Sequence, residues 1–160
     1  MNQNVYSHEP ADYECPFCAV VAGEGQPPWT LQQDVVLRSP ATTAWINGRW
    51  WENNPGHVVV VPNEHVENIY ALTGAQAADI HEAVRAVALA MKRTYGCEGI
   101  STRQHNEPAS YQEIWHLHVH VFPRYSGDNL YGSSHWQPSP DERLPYAEKL
   151  RAALRDGHRR

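Results

Sequence analysis

Three histidines recur at every second position, His116, His118 and His120, interleaved with Leu117, Val119, Val121 and Phe122. On a β-strand alternate side chains share a face and stand roughly 6.6 Å apart, so this spacing sets three imidazoles in a row over an apolar underside. Neighbouring imidazoles at that distance are close enough to act on one phosphate or carbonyl group. A strand that needed only solubility would expose Thr, Lys or Glu. Because the chain holds ten histidines, a solvated strand with incidental imidazoles is the plain alternative. Two chemical readings stand beside it. Either the row is a metal site, since His residues at i and i+2 on a strand can ligate zinc with a third, or the middle His is a nucleophile.

A second constellation lies near the other end of the chain. Cys15-Pro16-Phe17-Cys18 has the spacing of a zinc knuckle, in which two thiolates on one tight turn supply half of a tetrahedral site. Redox activity is the rival reading, but no strand of the thioredoxin type leads into the motif. A Cys2His2 set suits zinc, and the candidates for the two missing ligands are His65 and His116. Such a closed site leaves no position for water, so its role is structural, and it removes His116 from the catalytic row. With three cysteines no closed set of disulfides forms; Cys97, by itself after Tyr95 and Gly96, reads as a small buried hydrophobe.

The elements that must carry these residues follow from the hydrophobic pattern. A short helix is expected over Cys15 to Ala22, ended by Gly23. Strands are expected at Val35 to Arg38, Thr43 to Ile46, His57 to Val61, Ile100 to Gln104 and Ile114 to Phe122. Asn47 to Asn54, with Trp50 and Trp51, reads as a loop in which paired tryptophans pack or clamp a base. Ile80, Val84, Val87 and Met91 recur with helical period, which predicts the main helix over Gly74 to Tyr95. Pro145 as a first helical residue opens a terminal helix through Arg155. Residues 1–12 read as a flexible N-terminal tail and 13–160 as a single domain. Strands, one long helix, then more strands give α+β with a mainly antiparallel sheet. At 160 residues one core suffices, and roughly 70% of the unfolded surface can be buried without a staple.

In order and spacing, three segments resemble the histidine triad (HIT) nucleotide hydrolases and transferases: Cys15 to Cys18, Asn54-Pro55-Gly56-His57 through Val61-Pro62-Asn63-Glu64-His65, and Trp115-His116-Leu117-His118-Val119-His120-Val121-Phe122-Pro123-Arg124. The likeness spans most of the chain. It implies a HIT-like fold, usually a homodimer joined through the long helix and a sheet edge. It implies that His118 attacks the α-phosphate of a purine nucleotide derivative to form a nucleotidyl-histidine, with His120 and Gln112 on phosphate oxygens. By the same resemblance Asn106 reaches the scissile phosphate, His57 lies near it, and structural zinc is held by Cys15, Cys18, His65 and His116. Two departures stand out: Glu113 takes a place where many members carry Ser or Thr, and the family's ribose-binding acid has no clean match, with Asn47 the nearest residue. Asn47 before Gly48 also reads as a turn former.

Imidazole titrates near neutrality, so an uncharged fraction is available as a nucleophile without a dedicated base. No magnesium motif or phosphate-cradling Gly-rich loop is evident, which makes a metal-free phosphoryl site the consistent picture. The rival functions are a hydrolase whose catalytic zinc is held by all three triad histidines and a non-catalytic nucleotide-binding regulator. A net charge of −5 argues against a nucleic-acid binder. The basic cluster Arg151, Arg155, His158, Arg159 and Arg160 reads as a solvated helix end. With no long apolar run and no signal-peptide pattern, a soluble cytoplasmic protein without membrane association is expected.

Overall fold

In chain order the computed structural model, which describes residues 5–157, contains α1 (Pro16–Val21), β1 (Val35–Arg38), β2 (Thr42–Ile46), β3 (Trp50–Trp51), β4 (Val58–Pro62), α2 (Gly74–Thr94), β5 (Gly99–Gln104), β6 (Val119–Arg124), β7 (His135–Trp136) and α3 (Pro140–Gly157). Five strands form one antiparallel sheet in the order β1-β2-β4-β6-β5. The run of four valines, Val58 to Val61, explains the centre: β-branched side chains favour the pleat, and a strand buried on both faces can be apolar throughout.

The two faces differ in what covers them. Ala44, Ile46, Val58, Val60, Val119 and Val121 pack beneath α2 and α3, the larger core, where Ile80, Val84, Val87 and Met91 dock as their helical period requires. Each such buried aliphatic contributes about 1.5–3 kcal/mol relative to exposure. The opposite face carries Trp45, Val59 and Val61 under α1, with Phe17 and Val20. Ladder pairs Trp45–Val59, Val59–His120 and His120–Arg103 continue that second face across to β5. It is the face on which chemistry is possible, because α1 covers only part of it.

Helix starts are set locally. Thr73 accepts from the Gln76 N–H and the Gln76 side chain accepts from the Thr73 N–H, a reciprocal cap on α2. Ser139 and Glu142 form the same device before α3, so this helix begins at Pro140 and not at Pro145 as the sequence reading had it. The Ser-Pro-Asp-Glu run was the stronger signal, and Pro145 is tolerated inside the helix. Arg143, wholly buried, ties α3 to Asp34 at 3.0 Å.

The structure differs from the sequence expectations at other places too. Trp50 and Trp51, expected in a loop, pair with Trp136 and His135 as a separate two-stranded ribbon, because indoles meeting edge to face (Trp50–Trp136 centroids 5.8 Å) supply the cross-strand contact that so short a strand lacks. Of the histidine row, only His120 lies in a strand, since β6 begins at Val119; His116 and His118 precede it. Of the expected tail, residues 1–4 lie outside the described residues, as do His158, Arg159 and Arg160 at the other end. Ser7, His8 and Glu9, in contrast, are tied to the domain through Glu67 and His65. Arg151 is not a solvated cation: it donates to the Gln33 and Val35 carbonyls. No helix among the described residues is long and apolar enough to cross a membrane.

Candidate active site and metal centre

Cys15 ends the N-terminal segment as the cap of α1, its sulfur accepting from the Cys18 N–H. This turn sets both thiols toward His65, just past β4, and His116, ahead of β6. The four ligand atoms lie within 4.8 Å of one another. Cys15 Sγ is 3.4 Å from His116 Nδ1, and Cys18 Sγ is 3.2 Å from His65 Nδ1 and 3.5 Å from His116 Nδ1. Tetrahedral zinc with bonds of about 2.3 Å to sulfur and 2.0–2.1 Å to nitrogen requires S···N separations of about 3.5 Å. The residues therefore fit the metal.

The remaining ring nitrogens are engaged elsewhere. His116 Nε2 donates to the Pro62 carbonyl at 2.9 Å, and His65 Nε2 meets the Glu9 carboxylate at 2.6 Å. Partners of this kind fix the tautomer that presents Nδ1 to a metal. Burial pushes the Cys18 thiol up to about 12, with its bond to Cys15 adding to the shift, so a cation must displace protons to bind.

Two residues on, His118 turns to a different environment. Its Nδ1 lies 2.7 Å from the His116 carbonyl. A carbonyl only accepts, so Nδ1 carries the proton and Nε2 keeps its lone pair. His118 and His120 line a cavity of about 510 Å³, their ring centroids 5.1 Å apart. Phe17, Val20, Trp29 and Trp45 make its apolar end on the α1 side, and Arg103 and His105 lie toward β5.

His57, expected near the phosphate, does not line the cavity but lies behind His120. It is fully buried, stacked on Phe122 at 4.4 Å, and its Nε2 is 3.4 Å from His120 Nδ1. His57 Nδ1 is buried without a partner. An orphaned N–H there would cost about 1–3 kcal/mol, so Nδ1 is the bare nitrogen, Nε2–H donates to His120, and His120 carries its own proton on Nε2 as a donor. Burial, followed by the charges of Arg103 and Arg49, lowers His57 to about 3. Burial also lowers His118, against the opposing bond to the His116 carbonyl, and holds His120 well below the usual imidazole range with the neighbouring imidazoles and Arg103 adding to it. These rings are neutral at physiological pH.

Backbone features hold His57 in place. Gly56 has φ +80°, and a Cβ there would meet Tyr146 Cδ1 at 2.3 Å. Asn54, also buried, donates to the Pro123 carbonyl and to Asp128 Oδ2. Asp128 chelates Arg124 through two bonds of 2.7 and 2.8 Å, and this pairing holds its carboxyl well below the usual range. The motifs before β4 and at the end of β6 are thus one bonded unit.

Not every expected residue reaches the cavity. Asn106 spends Oδ1 on the Ile69 N–H and the Gln104 amide, and His105 lines the cavity instead. Gln112, buried, bonds the Glu67 and Ile114 carbonyls and the Glu107 N–H, bracing the loop. Neither Asn106 nor Gln112 lines the cavity: the loop's own backbone claims these amides. Asn47 lines the cavity while accepting from the Arg49 N–H at 2.7 Å. Trp51 joins the cavity wall and Trp50 the core. Sequence reasoning missed Arg103 and His105, whose position depends on the β5–β6 register and on the turn after it. Cys97 is buried, as expected.

The model for the HIT domain matches residues 33–127. Protein hit of Bacillus subtilis is 28% identical over 131 residues, covering 82% of this chain and 84% of that protein. The bis(5'-adenosyl)-triphosphatase of Saccharomyces cerevisiae is 32% identical over 112 residues, 66% of this chain and 53% of that one, about half its length. Among solved structures, a zinc-bound histidine triad family protein from Mycobacterium smegmatis superposes with a TM-score of 0.75 at 25% identity, covering 91% of this chain and 96% of that one.

Proposed function

This chain belongs to the HIT domain family, and we propose from that premise that it is a nucleotide hydrolase or nucleotidyltransferase. It cleaves the α-phosphate linkage of nucleoside phosphoramidates, acyl-nucleotides or dinucleoside polyphosphates through a covalent intermediate on His118. One observation carries the reading: the bond from His118 Nδ1 to the His116 carbonyl leaves Nε2 as a lone pair on a nucleotide-sized cavity. The adenosyl group in the yeast relative's name supports a purine nucleotide, for which the aromatic end of the cavity is suited.

In the first step His118 Nε2 attacks the α-phosphorus. A P–N bond forms, the bond to the leaving group breaks, and the electron pair departs with that group. In the second, water attacks phosphorus, the P–N electron pair returns to Nε2, and a nucleoside monophosphate leaves. The water's spare proton passes to a released amine or to solvent. His120, with its proton on Nε2, donates to a phosphoryl oxygen; such donors aimed at developing charge supply most catalysis of this type. Cys15, Cys18, His65 and His116 would hold zinc, which would supply a structural link between α1 and the segment leading into β6. A catalytic zinc on the three triad histidines is disfavoured, because His116 has both ring nitrogens committed, Nε2 to the Pro62 carbonyl and Nδ1 to the cluster with Cys15 and Cys18. The chain pairs as a homodimer through α2 and the edge strand β5, a reading supported by Leu89, exposed on α2, and checked by sedimentation.

The test is intact-mass analysis after mixing the protein with an amine-linked adenylate. A nucleotidyl adduct is expected on the wild type or on His120→Ala, and none on His118→Ala. An adduct that survives His118→Ala overturns the assignment.

A further inference from the structure

Arg103 stands directly across the β5–β6 ladder from His120, so the two side chains share a face with Cβ atoms about 5 Å apart. Its guanidinium lies 5.3 Å from the ring centroids of Trp51, Phe122 and Tyr131. Aromatic faces fix a cation in position, but they do not neutralise it. The other arginines nearby have carboxylate partners: Arg49 meets Glu113 at 3.5 Å, and Arg124 meets Asp128 at 2.7 Å. Among the described residues Arg103 has no ion pair, and its Nε is buried without a hydrogen-bond partner. A half-buried fork of donors on a cavity wall, with no counter-ion from the protein, is a site built for an external anion.

The direction of the cavity says which anion. Trp45 on β2, Val59 on β4, His120 on β6 and Arg103 on β5 stand in successive strands, each about 4.8 Å from the next. A base at the apolar end with its α-phosphate over His118 and His120 directs the rest of the substrate toward β5. We propose that Arg103 is a leaving-group subsite, and that it selects substrates whose leaving group is itself a phosphate or polyphosphate. This deepens the proposed nucleotidyl transfer and rests on it. When the bond from the α-phosphorus to its bridging oxygen breaks, the electron pair stays on that oxygen, and the guanidinium receives the charge with no proton transferred. An amine leaving group needs a proton, which a guanidinium does not give up.

Binding isolates the subsite from turnover. Wild type, Arg103→Met and Arg103→Lys are titrated with adenosine monophosphate and with α,β-methylene ATP, which resists cleavage at the bond in question, without divalent metal. The wild type is expected to bind the analogue about 10- to 100-fold more tightly than the monophosphate. Arg103→Met abolishes that gap while leaving the monophosphate within about 2-fold, and Arg103→Lys keeps part of it because charge survives without the planar fork. An analogue no tighter than the monophosphate on wild type overturns the proposal. So does an equal loss of both ligands in the folded Arg103→Lys protein, which a merely structural or α-phosphate role would produce. Failure of the parent reading has a separate signature: an Arg103-dependent gap with no adduct on His118 keeps the subsite and removes the covalent chemistry.

Discussion

His116 and His118 are two residues apart, and each holds one ring nitrogen against a backbone carbonyl, yet their free nitrogens meet opposite surroundings. His116 Nδ1 faces two sulfurs within 3.5 Å, and its partner His65 is held by a carboxylate. His118 instead faces a cavity walled by aromatic rings, with His120 5.1 Å away. At the first site soft donors converge until only a cation satisfies them. At the second, burial keeps imidazoles uncharged and leaves a lone pair with no partner from the protein. On the proposed reading the same side chain is a ligand in one place and a nucleophile in the other, and the difference lies in what the neighbouring segments deliver. A two-residue step in an extended chain is enough to move from one environment to the next.

The sharpest way to break this division is to exchange the consequences. His118→Ala should lower turnover by at least about 10³-fold, since the covalent route loses its nucleophile, while metal content measured by plasma emission stays at that of wild type. Metal lost together with activity would merge the two sites into one. Cys18→Ser should do the reverse. It is expected to remove the metal and lower the unfolding free energy by several kcal/mol, read by urea titration with and without a chelator, with residual activity tracking the folded fraction. A Cys18→Ser protein that keeps its melting temperature would end the structural assignment. A smaller effect belongs to Glu9→Gln. Because Glu9 orients His65 through Nε2 at 2.6 Å, zinc affinity in a competition titration should fall about 10- to 100-fold, with the fold intact. Unchanged affinity would make the contact incidental.

How much of this was readable in the chain depended on the range of the interaction. Ile80, Val84, Val87 and Met91 announced α2, and the valine run announced β4, because period and branching act within one element. The convergence of Cys15, Cys18, His65 and His116 was legible as well, since thiol spacing and the Pro62-to-His65 turn are local. Trp50 and Trp51 hid their strand because its partner lies at His135 and Trp136, far along the chain. Arg103 was invisible for a related reason: nothing in Ser-Thr-Arg-Gln says which residue will stand across the ladder. Asn106 and Gln112 misled because an amide suited to phosphate is equally suited to the backbone of its own loop.

Protonation of the buried imidazoles is coupled to folding even without substrate. In the folded chain His57 binds a proton only below about pH 3, whereas its unfolded value is 6.5. Between those values the unfolded chain holds the extra proton, so acid favours unfolding, and stability falls as pH drops below about 6.5. The contribution reaches about 1.4 kcal/mol for each pH unit from a single such imidazole. His120, lowered for the same reasons, adds in the same direction. His57→Phe keeps a ring against Phe122 but removes one titrating group, so its stability should depend less steeply on pH than that of wild type between pH 6.5 and 5, measured by urea unfolding at matched zinc. Protonation of the metal-side histidines affects both proteins alike and cancels in the difference. Parallel pH profiles for the two proteins would mean that water reaches His57 in solution, and the neutral, desolvated imidazole assigned behind His120 would have to be given up.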